Sequence, residues 1–260
     1  MLKAFYSSAT GMRAQEQLID NTANNLANVN TTGFKRSQIK FGDLIYDIQR
    51  MPGSSSLQGR VAPIGLQIGN GTRAMGTANV HTQGTAIETG NNTDLVIEGE
   101  GFFKITLPSG EFRYTRDGSF HINDTGQLVT ASGFSLEPAI TLPQDANGFS
   151  VSSTGEVSYQ VNGAISTLGQ MQIVRFANLH GLQNMGGNLY SQTAASGPEI
   201  QGLPLQQGFG SLRQGALEGS NVEVVSELVS LITAQRAYEI NSRAIRAGDE
   251  MLSNTGQLIR

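Results

Sequence analysis

Two long apolar stripes, one at each end of the chain, constrain its fold more than any other feature. Near the start, Leu2, Phe5, Ala9, Met12, Glu16, Ile19, Ala23 and Leu26 recur at alternating spacings of three and four. That is the period of a helix with a heptad-like stripe and one charged interruption. Gly11 weakens its middle by roughly 1 kcal/mol, and Asn30 to Gly33 supplies a stop, with Gly33 able to take positive φ. At the other end, EGSNVEVVSELVSLITAQRAYEINSRAIRAGDEML predicts a second helix, capped by Ser220 or Asn221, with Glu223 near its first turn. Leu228, Leu231, Tyr238, Ile245 and Leu252 form one seam, filled in by Gln235 and Ser242, and Val225, Val229 and Ile232 form an adjacent one. At 1.5 Å per residue the helices are roughly 40 and nearly 50 Å long. Neither can leave its stripe in water, and the second stripe is broader than one partner helix needs.

Between the helices the pattern changes. TDLVIEGEGFFKIT, FRYTRDGSFHIN, NDTGQLVTASGFSL, STGEVSYQV and LGQMQIVRFA read as short strands. Three turns share one plan: Ser109-Gly110-Glu111-Phe112, Thr125-Gly126-Gln127-Leu128 and Thr154-Gly155-Glu156-Val157. In each, glycine takes the special turn dihedral and an apolar residue opens the next strand. The expected fold class is therefore mixed α and β. Long N- and C-terminal helices pair as a coiled-coil-like layer, and a central antiparallel β domain is barrel- or sandwich-like. The expected boundaries are 1–33 and 220–256 for the terminal helical domain, 34–74 for an extended linker and loop region, and 75–219 for the β domain. Within 34–74, Phe41, Leu44, Ile45 and Ile48 suggest a short ordered piece, and Pro52 to Pro63 reads as an exposed loop or long hairpin. Two readings of the ends stand side by side: a self-contained helical hairpin beside a β domain, or a subunit whose helices finish folding only between copies.

Little in the chain carries chemistry. It holds 260 residues with a formal net charge of −4, 15% charged residues and no cysteine. Disulfides and thiolate chemistry are excluded, and there is no basic footprint for nucleic acid. The first 18 residues lack the apolar core and small-residue site of a cleaved signal peptide. No apolar run is long enough to span a membrane as a helix. His81, His121 and His180 stand apart in sequence and make no metal spacing. Arg116 beside Asp117 reads as a surface or turn-stabilising pair, and Asp43 with Asp47 as a solvated helix face, if that segment is helical. Gly-Asn-Gly at 69–71 and Gly-Glu-Gly-Phe-Phe at 99–103 match neither a dinucleotide fingerprint nor a P-loop. No catalytic residue, cofactor or metal ligand is assigned, and an enzyme is not expected. An extracellular β-rich adhesin or binding module with helical tails stays open on these grounds alone.

The motifs SSATGMRAQEQLIDNTANNLANVNTTGFKR at 7–36, GEGFFKI…YTRDGSFHINDTGQLVTASGF at 99–134 and EGSNVEVVSELVSLITAQRAYEINSRAI at 218–245 together resemble the rod and hook family of bacterial flagellar axial proteins. The likeness covers essentially the whole chain and is nearest to members that build the distal rod, with a proximal rod or hook subunit as the alternative within the family. The resemblance implies a structural subunit of the basal body that polymerises with itself into a rigid hollow driveshaft. Its terminal helices line an export channel and its β domain faces outward. The implied partners are proximal rod proteins, the hook protein and its junction, the P-ring and L-ring bushings and the type III export apparatus, through which the chain leaves without signal cleavage. The resemblance also ties a stretch at about Tyr46 to Leu66, with Pro52, Gly53, Gln58, Arg60 and Pro63, to a straight rod as opposed to a bending hook. On this reading Leu2, Phe5, Met12, Ile19 and Leu26 pack against Leu228, Leu231, Tyr238, Ile245 and Leu252, with Val225, Val229 and Ile232 toward a further neighbour. Asn21, Asn25 and Asn28, at spacings of four and three on one face, offer uncharged amides for lateral contacts or a wet channel. Against that stands ordinary capping of a helix end.

Overall fold

A computed structural model describes residues 2–52, 63–143, 148–161 and 164–258 of this chain. Helix α1 spans Leu2–Ala27 and helix α2 spans Val224–Leu258. Every other regular element among the described residues is a short strand, apart from one 3₁₀ turn at Leu179–Gly181. The residues divide into two units: Met1–Leu26, Ser37–Ala78 and Glu223–Arg260 make up the first, and Ala27–Arg36 with Asn79–Val222 the second.

In the first unit, α1 and α2 run side by side in opposite directions. A Cβ built on Gly248 would stand 2.6 Å from Phe5 Cζ, and one on Gly11 would stand 3.0 Å from Asn241 Nδ2. Further along, Asn25 reaches Glu227. As numbers rise along α1 they fall along α2. Gly11, unfavourable for the helix in isolation, is where the partner approaches; the same holds for Gly248. The most buried residues of this pairing are small or polar: Ala14, Thr22 and Asn25 on α1, Glu227 and Ala234 on α2.

The N-terminal end of α2 differs from the expected cap. The helix starts at Val224, and Glu223 supplies the carbonyl that accepts from Glu227 N–H at 3.1 Å. Asn221 is committed elsewhere, within the second unit: its Oδ1 accepts from Arg36 N–H at 2.7 Å and its Nδ2 donates to Val80 O at 2.7 Å. A side chain already holding two backbone segments is not free to cap a helix.

The segment after Arg36 is not helical. Ser37–Asp43 pairs with Thr72–Asn79, and Tyr46–Arg50 pairs antiparallel with Leu66–Gly69. Asp43 and Asp47 therefore lie on different strands, not one turn apart on a helix, and Asp47 is the ion partner of Lys3.

The second unit is antiparallel throughout. Its largest sheet has seven strands in the order Gln183–Gly186, Leu189–Ser191, Phe112–Thr115, Phe103–Thr106, Ser135–Glu137, Leu128–Thr130 and Phe120–Ile122. Its two outermost strands do not pair with each other, so it forms no closed barrel. A three-stranded sheet (Phe149–Val151, Glu156–Val161, Ala164–Gln170) and three two-stranded pairs complete the unit among the described residues.

The shared turn plan is visible bond by bond. Leu107, Asn123 and Ser152 each donate N–H to the carbonyl four residues on, at 2.9, 3.0 and 2.9 Å, and each accepts from the glycine three residues on. Those glycines, Gly110, Gly126 and Gly155, have φ of 83°, 80° and 80°. Thr130 and Gly133 repeat the plan with φ 82°, a fourth copy hidden in TASGF. This is the three-residue hairpin with a left-handed glycine.

Period-two alternation then covers both faces of the large sheet. Phe103 and Ile105 enter a core with Leu95, Ile97, Phe120, Leu128 and Leu136. Phe103 and Phe120 meet edge to face at 5.1 Å. On the opposite face Tyr114 joins Phe102, Val174, Phe176, Leu182 and Tyr190.

Candidate assembly surfaces

The amide cluster of α1 explains how the first unit is tied together. Asn25 has 1% of its surface exposed, and its amide is saturated. Nδ2 donates to Ser37 O at 2.9 Å and to Glu227 Oε2 at 3.2 Å, while Oδ1 accepts from Ser37 N–H at 2.9 Å. Asn21, one turn earlier, donates to the same Ser37 carbonyl at 2.8 Å. A side-chain amide, with a donor and an acceptor fixed in one plane, can serve one residue's N–H and C=O together in this way. Asn21 and Asn25 thus dock the first strand against α1, and Glu227 brings in α2. Asn28 acts in the turn after the helix, where its Oδ1 accepts from Thr31 Oγ1 at 3.1 Å. The spacing of four in the sequence signals a shared face; nothing in it signals that Ser37 or Glu227 is the partner. Glu227 does carry a faint signal, being an acid placed at heptad distances from Leu231 and Ala234.

Around this joint the apolar stripes are only partly covered. On α1, Phe5, Met12, Ile19 and Leu26 are half-buried; the side chain of Leu2 lies outside the described residues. On α2, Leu231 and Ile245 are half-buried, whereas Leu228, Tyr238 and Leu252 are exposed. The adjacent seam is barer: Val225 is 68%, Val229 57% and Ile232 49% exposed.

The hairpin formed by Tyr46–Arg50 and Leu66–Gly69 is the second open surface. Ile45, Tyr46, Ile48, Met51, Ile64 and Leu66 are all exposed. A two-stranded ribbon without a covered face is marginal in water, so this much apolar surface calls for a partner. Pro52 and Pro63 are exposed, and Pro52 Cδ lies 2.7 Å from where a Cβ on Gly65 would fall. Gly53, Gln58 and Arg60 lie outside the described residues.

The second unit is stitched by charge. Glu218 takes Lys35 Nζ at 2.6 Å and Arg116 Nη1 at 3.3 Å, with all three side chains at most 5% exposed. Lys35 also donates to Thr82 O, and Arg116 to the carbonyls of Ile97 and Gly99. Burial holds the Lys35 ammonium below its ordinary pKa, opposed by the Glu218 charge, and burial lowers Arg116 as well. Arg116 is thus no surface partner of Asp117, which instead accepts from Thr32 Oγ1 at 3.0 Å and Ser119 N–H at 3.1 Å. His81 and His180, far apart in sequence, approach to 6.4 Å between ring centroids. No group of three or more potential metal ligands exists among the described residues.

Among the described residues, two apolar surfaces stand open. Comparison with known proteins gives the same direction. Three family profiles match: "Flagella basal body rod protein" over residues 5–35, "Flagellar hook protein FlgE/F/G D1 domain" over 96–159 and "Flagellar basal body rod FlgEFG protein C-terminal" over 213–258. The chain is 45% identical, over all of both chains, to the flagellar basal-body rod protein FlgG of Borreliella burgdorferi. It is 44% identical to that of Caulobacter vibrioides over 99% of each chain, and 37% identical to that of Bacillus subtilis over all of both. The chain belongs to the FlgG family of flagellar basal-body rod proteins.

FlgG proteins are structural rod proteins, not enzymes, and they reside in the flagellar basal body. The three profiles fall on the elements described above. The first spans α1 from Phe5, the Asn21–Asn25 clamp and Lys35; the last spans Glu218, Glu227 and α2; the middle one spans core strands. Each half of the two buried joints, Asn25–Glu227 and Lys35–Glu218, thus lies in a terminal rod-family segment.

Proposed function

We propose that this FlgG-family chain is a distal-rod subunit. It polymerises with itself into a rigid, hollow helical driveshaft that transmits torque to the hook. The terminal helices form a coiled-coil-like inner layer around an export channel, and the second unit faces outward toward the P-ring and L-ring bushings. Proximal rod proteins bound the tube at one end and the hook junction at the other. Subunits arrive through the type III export apparatus without signal cleavage and act across the periplasm and outer-membrane ring region.

The observation that carries this reading is the bare seam Val225, Val229 and Ile232 beside a pairing that already occupies α1. Fully burying an exposed side chain of this kind is worth about 1.5–3 kcal/mol, and these three have 49–68% of their surface still to cover. One isolated chain leaves that stabilisation unused; a polymer recovers it at every subunit. The exposed hairpin 46–69 supports it further, as a second surface for neighbouring copies that stiffens the tube.

The test is assembly by variants that leave the monomer alone. Val229→Asp and Ile232→Asp place charges on exposed positions and are expected to keep the monomer's helix content while abolishing tube formation and motility. Normal tubes from both variants would overturn the proposal.

A further inference from the structure

A groove of about 700 Å³ opens on the second unit between the strand Phe112–Thr115 and the loop that follows Ser191. That is the size of an ordinary small-molecule site. None of its residues belongs to the bare helix seam or to the apolar hairpin. Phe112 lines the groove and is 45% exposed. Lys104 Nζ lies 3.8 Å from the centroid of its ring. Lys104 is itself buried and does not line the groove, so the ammonium covers the face of the ring turned away from it. The cation steadies the ring from behind and leaves a bare apolar plate in front.

The charges around the groove cancel. Glu111 pairs with Arg113 at 2.7 Å, and Glu199 pairs with Lys104 at 2.7 Å. Tyr114, also on the wall, donates its hydroxyl to Glu199 at 2.6 Å. Burial and then that bond raise the Tyr114 pKa, so the hydroxyl stays neutral. No excess charge is left to hold a phosphate, a carboxylate or a cation. What stays free is a neutral polar group. Gln192 lines the groove and is exposed; its Oε1 lies 3.5 Å from the Tyr114 hydroxyl, and its Nε2 donates to no group among the described residues. A side-chain amide sets a donor and an acceptor in one plane, which matches two neighbouring hydroxyls of a sugar ring. A pyranose also carries the second matching feature, a flat apolar face of C–H groups that packs on an aromatic plate.

A peptide is the rival occupant. Peptides that dock on a sheet pair with an open edge, and the strand Phe112–Thr115 has none. It lies between Leu189–Ser191 and Phe103–Thr106 in the seven-stranded sheet. Side chains alone must therefore hold the ligand. We propose that this groove is a binding site for a neutral oligosaccharide, with one pyranose ring stacked on Phe112 and its hydroxyls held by the Gln192 amide. The site is complete within one chain and stands independently of assembly into a rod.

The experiment uses the dilute full chain with labelled phenylalanine and glutamine, observed by NMR. The probes are cellotetraose and its N-acetylated counterpart chitotetraose; an uncharged tetrapeptide and tetraethylene glycol are the controls. The expected result is a saturable shift of the Phe112 ring and Gln192 amide signals with at least one sugar and with neither control. An open groove leaves much of the ligand in water, so the dissociation constant is expected on the order of 1 mM. Phe112→Ala is expected to weaken binding about tenfold and Gln192→Ala about fivefold. Phe112→Trp is expected to retain binding, and Ile122→Ala, outside the groove, to leave it unchanged. A response to one sugar alone supports the site and shows which ring substituent it accepts. An equal response to the tetrapeptide or the glycol, or no saturable response to either sugar, overturns the proposal. Undiminished binding by a folded Phe112→Ala does so too; should that variant fail to fold, undiminished binding by Gln192→Ala decides in its place.

Discussion

Asn25 and Glu227 lie 202 positions apart in the chain and meet at 3.2 Å in a buried hydrogen bond. The bond joins the helix that opens the chain to the helix that closes it. Because Asn25 also holds both backbone groups of Ser37, one side chain connects three segments of the first unit.

Asn25→Ala removes the amide and leaves Ser37 and one Glu227 oxygen without that partner. An unsatisfied buried polar group costs about 1–3 kcal/mol, and here more than one is exposed to that loss. Asn25→Asp keeps the shape but sets a second carboxylate against Glu227 and loses the Nδ2 donor; it is expected to be worse. Thermal unfolding followed by circular dichroism checks both, with loss of helix preceding loss of strand signal.

Gly248 faces the ring of Phe5. A valine there has its Cβ 2.6 Å from Phe5 Cζ, so the helices must part or the ring must turn. Overpacking of this kind costs about 1–3 kcal/mol. Phe5→Ala with Gly248→Val is expected to recover much of the loss, which a double-mutant cycle on helix stability reads directly.

Glu218 stands between two buried cations. Glu218→Gln is nearly isosteric but strands Lys35 and Arg116 without a counter-charge. Breaking a buried ion pair by removing one partner costs about 3–5 kcal/mol, and denaturant unfolding of the β unit is expected to show a loss of that size. Lys35→Met together with Glu218→Gln is expected to be milder than Glu218→Gln alone.

His81 predicts a pH dependence with a definite sign. Its folded pKa is lowered to about 4, from an ordinary 6.5. Between those values the unfolded chain binds the proton and the folded chain does not. The His81 contribution is therefore fully present above pH 6.5 and is lost as pH falls toward 4. Its size is at most about 3 kcal/mol. Unfolding at pH 7 and pH 5 should differ more in the native chain than in His81→Phe. Equal pH sensitivity in the two contradicts the assignment.

Local patterns in the sequence carried much of this structure. The period of Phe5, Met12, Ile19 and Leu26 sufficed to place α1, and the recurrent glycine turns placed the hairpins, because both depend on neighbours in sequence. What depends on distant partners was hidden. Asn221 matches a helix cap by type, yet it is spent on Arg36 and Val80. Arg116 sits beside Asp117 in sequence, but the buried carboxylate it serves is Glu218, 102 residues away. The seams on α2 were visible as a broad stripe, but Glu227 and Ala234, which sink deepest, belong to neither seam. The open sheet, where a closed barrel was one of the two expectations, has the same origin: short strands and glycine turns state that hairpins form, not whether the outer two close on each other.

The central claim is that copies of this chain complete the surfaces that one chain leaves bare. The most direct measurement is electron cryo-microscopy of material assembled from the full chain, at a resolution that places side chains. The account predicts a hollow helical tube in which Val225, Val229 and Ile232 are buried against helices of neighbouring copies in the innermost layer. A tube with that seam facing solvent, or with the helices outermost, would contradict it.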